Sequence, residues 1–380
     1  KGYAHFDKRT SLKNDKTRRN VLDPNWVARH AFWPLIQFEK SKDKFVGEKE
    51  GRPAHLFKKN PRVIRYCAHL DRCVYQRYSF LLDQVYNSIA CEKGIDEVAV
   101  AYRTNKAFNN LHHAMRAFDF IESKEECLIL VSDFDSFFDR IDHVLLKKAI
   151  CDLMGVEFLP VDYYAVFKNI TNYSSWSWKS LMSFWRKYNP KISRKEINSK
   201  EIILPRPAFR ELRSSEVMRN ESGKGIPQGS PISAVLSNIY LLALDEEIHA
   251  LVERQNGLYM RYCDDLFVAI PMDGSGQELV VVDELLSKID LHPGVEIKEE
   301  KTSLLKYSKK EHHCGVLVSI DRATGTLGSD AILDYLGVAF DGENRRIRAR
   351  AISKYYYRMD RKAKTIARQQ RGRKNIYSVY

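Results

Sequence analysis

The sequence is short of several things, and each shortage narrows the choice. Its seven cysteines (67, 73, 91, 127, 151, 263 and 314) are an odd number, scattered, with no Cys-x-x-Cys pair. That pattern argues against a disulfide framework and a zinc site, and it fits a reducing compartment. Apolar runs such as Cys127 to Val131 fall far below the roughly 20 residues that span a bilayer. The first residues have no signal-peptide pattern. They also lack an initiator Met, which leaves room for a few residues before Lys1. No strand-like segment runs into a Gly-rich phosphate loop, so a doubly wound nucleotide-binding sheet is not expected. Internal repeats and low-complexity tracts are missing too.

What is present is a chain of 380 residues, long enough for two or three subdomains and a sizeable core. The hydrophobic fraction of 44% is that of a globular protein. Net charge is +13 and the pI about 9.2. Such an excess points to a polyanionic partner, most simply nucleic acid.

Periodicity supplies a coarse map. Short helical pieces are expected around Asn25 to Gln37, within a polar, basic first 60 residues. Apolar spacing from Val74 to Ile89 predicts a helix over Asp71 to Glu92, and a second covers Asn109 to Ser123. "CLILVSDFDSFFD" reads as a buried strand, Cys127 to Ser132, breaking into a turn and a helix that begins near Asp142. Residues 155–190 are aromatic-rich and helical, and residues 191–224 basic and loop-rich. "SPISAVLSNIYLLALDEEIHALV" is the longest helical signal, with Pro231 in its first turn. Two short strands flank Asp264 and Asp265. A helix (Glu278 to Ile289) and strands near Val295 and Val316 follow, then a basic, mostly helical tail from Asn344. The fold class expected is α+β.

In "RYCDDLFVAI" (Arg261 to Ile270) two adjacent acids head an apolar strand. Asp is depleted in strands, and neighbouring carboxylates repel. A site for Mg²⁺ explains the placement, because hard cations take carboxylate and phosphate oxygens. Two ions stabilise both the attacking and the leaving oxygen of a phosphoryl transfer. A third acid must come from elsewhere. Asp133, at the end of the Cys127 to Ser132 strand, is the best donor, and Asp135 faces the same side of an extended chain.

These segments resemble the motifs of one family. "YCDD" (Tyr262 to Asp265) looks like the Tyr-x-Asp-Asp box of reverse transcriptases, with Cys263 where Ala is commonest. "SDFDSFFDRIDH" resembles their first palm motif. "GIPQGSPISAVLSNIYLLALD" (Gly225 to Asp245) is similar to the palm helix of the bacterial branch, which includes group II intron, retron and defence-associated members. Weaker likenesses are "RVIRYCAHLDR" (Arg62 to Arg72) to a fingers segment, "IKEEKT" (Ile297 to Thr302) to a lysine motif, and "YLGVAF" (Tyr335 to Phe340) to the hairpin that supports a primer.

The resemblance implies a right-hand polymerase whose antiparallel palm sheet packs on helices. Residues 1–125 would be an N-terminal extension and fingers. Residues 126–341 would be palm, with a fingers insertion at about 155–224, and 342–380 a short basic helical thumb. The part after Gly342 is expected to be too small for a nuclease or integrase domain. Asp133, Asp264 and Asp265 would be catalytic, holding two Mg²⁺ (or Mn²⁺) ions with the Phe134 carbonyl. Arg62, with Lys58 or Lys59, would grip the triphosphate, with Arg65 as a rival to Arg62. Phe138 would be the steric gate against a 2′-hydroxyl, while Phe137 reads as core. Gln228 and Gly229 would line the nucleotide site at a helix N-terminus, and Lys301 would assist pyrophosphate departure. Tyr262, Leu336, Gly337, Arg345, Arg346 and Tyr356 would contact nucleic acid.

Of Tyr355, Tyr356 and Tyr357, one or two would stack on nucleic acid and the rest be core. Trp176, Trp178 and Trp185 read as packing. His112, His113, His312 and His313 are not expected to bind metal. His143 would cap or bond the following turn. "KGYAHFDKR", at the start, is similar to the N-terminus of some defence-associated members and would contact RNA.

The implied activity is RNA-directed DNA synthesis from dNTPs on a structured noncoding RNA template, giving a DNA product. The setting implied is the bacterial cytoplasm, without a membrane partner. Among subtypes, the type 2 defence-associated enzymes look most similar, which implies an antiphage role. Two alternatives stay open. One is template-independent or protein-primed DNA synthesis of the abortive-infection type. The other is an RNA-binding protein on a decayed polymerase fold, which the intact Asp133, Asp264 and Asp265 disfavour. An RNA-dependent RNA polymerase is opposed by Phe138.

Overall fold

The apolar run Cys127 to Val131 becomes the middle of a sheet, because strands bury it on both flanks. In this computed structural model, residues 2–46, 55–103, 105–106, 108–310 and 315–368 are described, without the side chains of residues 41–46, 55–60 and 368. The first elements are α1 (Asp15–Leu22), α2 (Pro24–Ala28), β1 (Leu35–Val46), β2 (His55–Tyr66), α3 (His69–Glu92), α4 (Asn110–Glu122), β3 (Glu126–Asp133), α5 (Phe137–Arg140), α6 (His143–Met154) and α7 (Val161–Thr171). Next come β4 (Ser174–Ser177), α8 (Trp178–Tyr188), α9 (Arg194–Ser199), α10 (Arg206–Glu216), β5 (Val217–Arg219), α11 (Ser233–Glu253), β6 (Leu258–Tyr262), β7 (Asp265–Pro271) and α12 (Gln277–Leu291). Last are β8 (Ser303–Lys309), β9 (Gly315–Ile320), β10 (Leu327–Asp330), β11 (Leu333–Tyr335), β12 (Val338–Phe340), β13 (Arg345–Ile347) and α13 (Ala349–Arg368). No described helix is long and apolar enough to cross a membrane.

Two compact units emerge. One takes residues up to 105, 134–246 and 289–296; the other takes 106–133, 247–288 and 297 onward. The second unit holds an antiparallel six-stranded sheet in the order β10-β9-β8-β3-β7-β6. β3 is central, paired with β7 on one side and β8 on the other. Its near-continuous apolar reading follows from that position, since both faces are covered. Its core joins Phe118 and Ile121 of α4 to Ile129, Phe267 and Leu305 of the sheet and to Phe340 of a small β11-β12-β13 sheet. Burying side chains of this size contributes about 1.5–3 kcal/mol each.

The first unit holds a four-stranded sheet, β2-β1-β4-β5, in which only β1 and β4 run parallel. Ile36, Trp176, Trp178 and Phe6 pack into its core, with Trp185 half-buried beside them, so the tryptophans do pack as expected. The long β1–β2 hairpin replaces the helical character expected at residues 35–37; Ile36 and Phe38 alternate with polar Gln37 and Glu39, a period of two.

Other departures have local causes. Residues 206–216 form a helix rather than loop, because Phe209 and Leu212 find an apolar floor. The strand after α12 begins at Ser303, since Val295 is spent closing the turn that ends the helix, where its N–H donates to His292 O at 3.2 Å. Pro231 lies two residues before α11, outside the helix. His143 donates to Gly225 O at 2.8 Å rather than to the following turn, and Asp142 caps α6 through Val144 N and Leu145 N. All three tyrosines 355–357 are exposed, so none is core.

Within the N-terminal "KGYAHFDKR", residues 3–7 form a structural strap. Ala4, His5 and Phe6 are buried. His5 O accepts from Ile203 N, and burial pushes the His5 imidazole down to about 3. Helix α3 begins after Ala68, which has no capping side chain; Asp7, from 62 residues away, accepts from His69 N (3.0 Å) and Leu70 N (2.8 Å) instead. Asp7→Ala leaves those two donors without an acceptor. It is expected to cost about 1–2 kcal/mol by denaturant unfolding, with Asp7→Asn restoring most of it. Equal midpoints for the parent and the Ala variant would show that the strap does not hold the helix.

Candidate active site

Two groups of residues named from the sequence come together, one in each compact unit. In the second unit, Asp133 ends β3 and Asp265 begins β7, and the two are direct cross-strand partners. Tyr262 pairs with Asp265, so Cys263 and Asp264 form a two-residue hairpin loop between β6 and β7. Cys263 takes φ 63°, uncommon for a side-chain-bearing residue. Arg261, fully buried on β6, donates to Cys263 O at 2.9 Å and pins the turn. Burial pushes the Cys263 thiol up to about 12, aided by the Asp264 charge.

The two facing aspartates would repel in register. The structure meets that charge from the loop before β8. Lys301 forms an ion pair with Asp133 Oδ2, and Lys298 Nζ stands 3.5 Å from Oδ1. Lys298 N also donates to Asp133 O at 3.0 Å. A 3₁₀ turn, Glu299–Lys301, aligns positions i and i+3, so both lysines reach one carboxylate. Asp265 is raised from 3.8 to about 6, first by burial and then by the Asp264 and Asp133 charges; Lys301 and Arg348 offset only part of this.

Among the described residues, no three His, Cys, Asp or Glu side chains stand together as a metal-binding group. In this structure the Asp133 carboxylate is met by the two lysines. The donors still suit a hard divalent cation. Asp133 Oδ1 is buried without a hydrogen bond, and Asp265 is a crowded carboxylate whose charge a cation relieves. Asp135 is engaged elsewhere, 3.3 Å from Arg140.

Also in this unit, Leu336 (φ 47°) and Gly337 (φ 95°) form the two-residue turn between β11 and β12, as the hairpin likeness implied. Asn110 donates to Leu336 O at 2.9 Å. Arg345 is not a free cation for nucleic acid: Asp119 and Glu122 hold it at 2.6 Å each. Arg346, largely exposed, lies 3.4 Å from Asp341. Tyr356 is exposed on α13, and Tyr262 is half-buried with its ring 6.4 Å from that of His113.

The first unit gathers the proposed nucleotide residues. Residues 225–229 are zipped between two segments. Gly225 N donates to Ile141 O and Ile226 N to Phe138 O, while Arg65 N donates to Gln228 O, each at 2.8 Å. Gly229 (φ 117°) passes so close to β2 that a Cβ would meet Arg65 O at 2.6 Å. This docking brings Phe138, Gln228, Gly229 and the Arg62–Arg65 segment together. Phe138 is half-buried while Phe137 is core, and the Phe134 side chain is buried. Arg62 is exposed on β2, whereas Arg65 lies over the Tyr173 ring at 5.0 Å. The side chains of Lys58 and Lys59 lie outside the described residues.

The sequence reading missed Lys298 and Arg261. Lys298 was signalled only by its three-residue spacing from Lys301. Arg261 carried no signal, because a charge inside a strand next to "YCDD" reads as exposed.

An antiparallel sheet carrying acids at the meeting of β3 and β7, on an α+β chain, defines a right-hand polymerase fold. The sequence profile of the family described as reverse transcriptase (RNA-dependent DNA polymerase) matches residues 48–340, and the chain belongs to that family. Among solved structures it is similar to apo telomerase from Candida tropicalis truncated from its C-terminal domain, at 14% identity and TM-score 0.49 over 87% of this chain and 60% of that one. It is also similar to telomerase from Candida albicans in complex with a fragment of telomeric RNA, at 15% identity and TM-score 0.44 over 94% of this chain and 58% of that one. The chain thus spans about 60% of the length of the solved telomerases it matches.

One consequence is testable in metal-free protein. Because Asp265 titrates near 6 when folded and near 3.8 otherwise, the folded state holds its proton more tightly. Its ionisation therefore destabilises the fold as pH rises through that window, and costs nothing below about pH 4. Asp265→Asn is expected to raise stability by about 1–2 kcal/mol at pH 7.5 in EDTA, the gain vanishing near pH 4 in thermal melts. A gain independent of pH would contradict the carboxylate crowding.

Proposed function

We propose that this protein is an RNA-directed DNA polymerase that extends a primer with dNTPs on an RNA template. The observation that supports it most is the register of Asp133 opposite Asp265, next to the Asp264 turn, in a member of the reverse transcriptase family. In this reading Asp133, Asp264, Asp265 and the Phe134 carbonyl would hold divalent ions, Mg²⁺ or Mn²⁺. When bound, these supply charge stabilisation to the attacking and leaving oxygens. Asp264, in the Cys263–Asp264 turn pinned by Arg261, is presented by a fixed backbone, so the carboxylates are preorganised. Arg62, with Lys58, would grip the triphosphate, Arg being suited to bidentate contact. Phe138 would pack against the sugar, and Gln228 and Gly229 would bound the nucleotide. Lys301 would move to the departing pyrophosphate. Tyr262, the Leu336–Gly337 turn, Arg346 and Tyr356 would contact primer and template.

Residues 126–341 apart from 155–224 act as palm in this reading, residues 1–125 as N-terminal extension and fingers, and the remainder after 341 as thumb. The template is a dedicated structured noncoding RNA, and the setting is antiphage defence in the bacterial cytoplasm, of the type 2 defence-associated kind. The "YCDD" box and the "KGYAHFDKR" opening support that subtype.

Purified protein with its co-purifying RNA is expected to incorporate dNTPs with Mg²⁺ into DNA complementary to that RNA, read by sequencing. Replacing both Asp264 and Asp265 by Asn should lower incorporation at least about 10²–10³-fold. Unchanged synthesis by that variant, or product unrelated to any RNA, would remove the reading. Phe138→Ala should admit ribonucleotides, seen as alkali-labile product; undiminished sugar discrimination would take the gate away from Phe138.

A further inference from the structure

Residues 186–224 carry eleven Lys or Arg against five Asp or Glu, and the proposed chemistry uses none of them. Within this stretch α10 is the most one-sided element. Phe209 is wedged against Phe6 (4.9 Å), Trp33 (5.0 Å) and Trp176 (5.5 Å), and Ala208 and Leu212 pack on the same core. The helix is therefore fixed in rotation. Arg206, Arg210 and Arg213, at positions i, i+4 and i+7, are all exposed. They form one ridge about 10 Å long.

No carboxylate answers this ridge. None of the three side chains has an ion pair or hydrogen bond among the described residues. Glu216 instead accepts from Ser180, and Glu211 falls roughly 130° round the helix. Like charges at i and i+4 cost a few tenths of a kcal/mol per pair. The isolated protein keeps that repulsion, and an anionic partner would remove it.

The ridge also lacks what other anionic partners need. No exposed large apolar residue lies on α10 that would enter a membrane, and no exposed aromatic on it would stack single-stranded bases. What remains is a line of guanidinium groups anchored on a helix of fixed orientation, suited to phosphates held at regular spacing. We infer that the Arg206–Arg210–Arg213 face of α10 is a docking surface for the backbone of double-helical RNA. The choice of RNA over DNA rests on the RNA-templated reading given above; the docking of a helical phosphate backbone rests on the ridge alone.

The test is binding of a fluorescent RNA duplex in EDTA without dNTPs, titrated over salt, so loss of DNA synthesis would leave the outcome readable. Changing Arg206, Arg210 and Arg213 together to Gln is expected to weaken binding at least about tenfold near 0.15 M salt. It should also flatten the log–log salt dependence by about 2–3. The matching Lys variant should keep the slope. A control removing three exposed charges from the α1 region, Lys13→Gln with Lys16→Gln and Arg19→Gln, should have a much smaller effect. If the triple Gln variant does not fold, Arg210→Gln alone should lower the slope by about 1. Unchanged affinity and slope, an equal loss in the control, or loss of anionic-vesicle binding with RNA binding intact would each overturn the inference. A greater loss on single-stranded than on duplex RNA would overturn it as well.

Discussion

The pairing of β3 with β7 is the constraint on which the rest depends. Seven consecutive cross-strand pairs, from Cys127 with Pro271 to Asp133 with Asp265, put two carboxylates opposite each other at the end of a buried ladder. A shift of one residue would turn every side chain to the other face and separate them. Close packing of the buried side chains, such as Ile129 and Phe267, resists that shift and so holds the acids opposite each other. Lys298 and Lys301 answer the charge that results, and the backbone bond from Lys298 to Asp133 ties their loop to the strand end.

The first unit applies the same economy to a different task. Residues 225–229 use backbone hydrogen bonds to both Phe138–Ile141 and Arg65, and Gly229 permits an approach no other residue would. Backbone contacts of this kind bring the Phe138, Gln228 and Arg62 segments together without using their side chains. The N-terminal strap works alike: Asp7 caps a helix that its own sequence leaves uncapped. The charges left over, such as the α10 ridge, then stand out as those the fold does not use.

Much of this was legible in the residues. The strand at Cys127 to Ser132, the acids of "YCDD", the helices over residues 71–92 and 109–123 and the α+β class all follow from local periodicity and motif, and the structure has them. The α10 helix and the β1–β2 hairpin were not legible. Their apolar residues are few, and their partners, Trp176 and Phe6, lie far away in sequence. Arg345 read as a nucleic-acid cation because Asp119 and Glu122 lie more than 220 residues earlier.

The sequence by itself determined which chemistry the chain is equipped for: three aspartates in two family motifs, a bulky residue after the first, and an excess of positive charge. Only the tertiary structure decided which carboxylates face each other, which cations they engage, and which basic residues are already spent on internal pairs. The reason is physical. Motif chemistry is written in neighbouring residues, whereas strand register, ion-pair choice and burial depend on contacts between segments that no local pattern encodes.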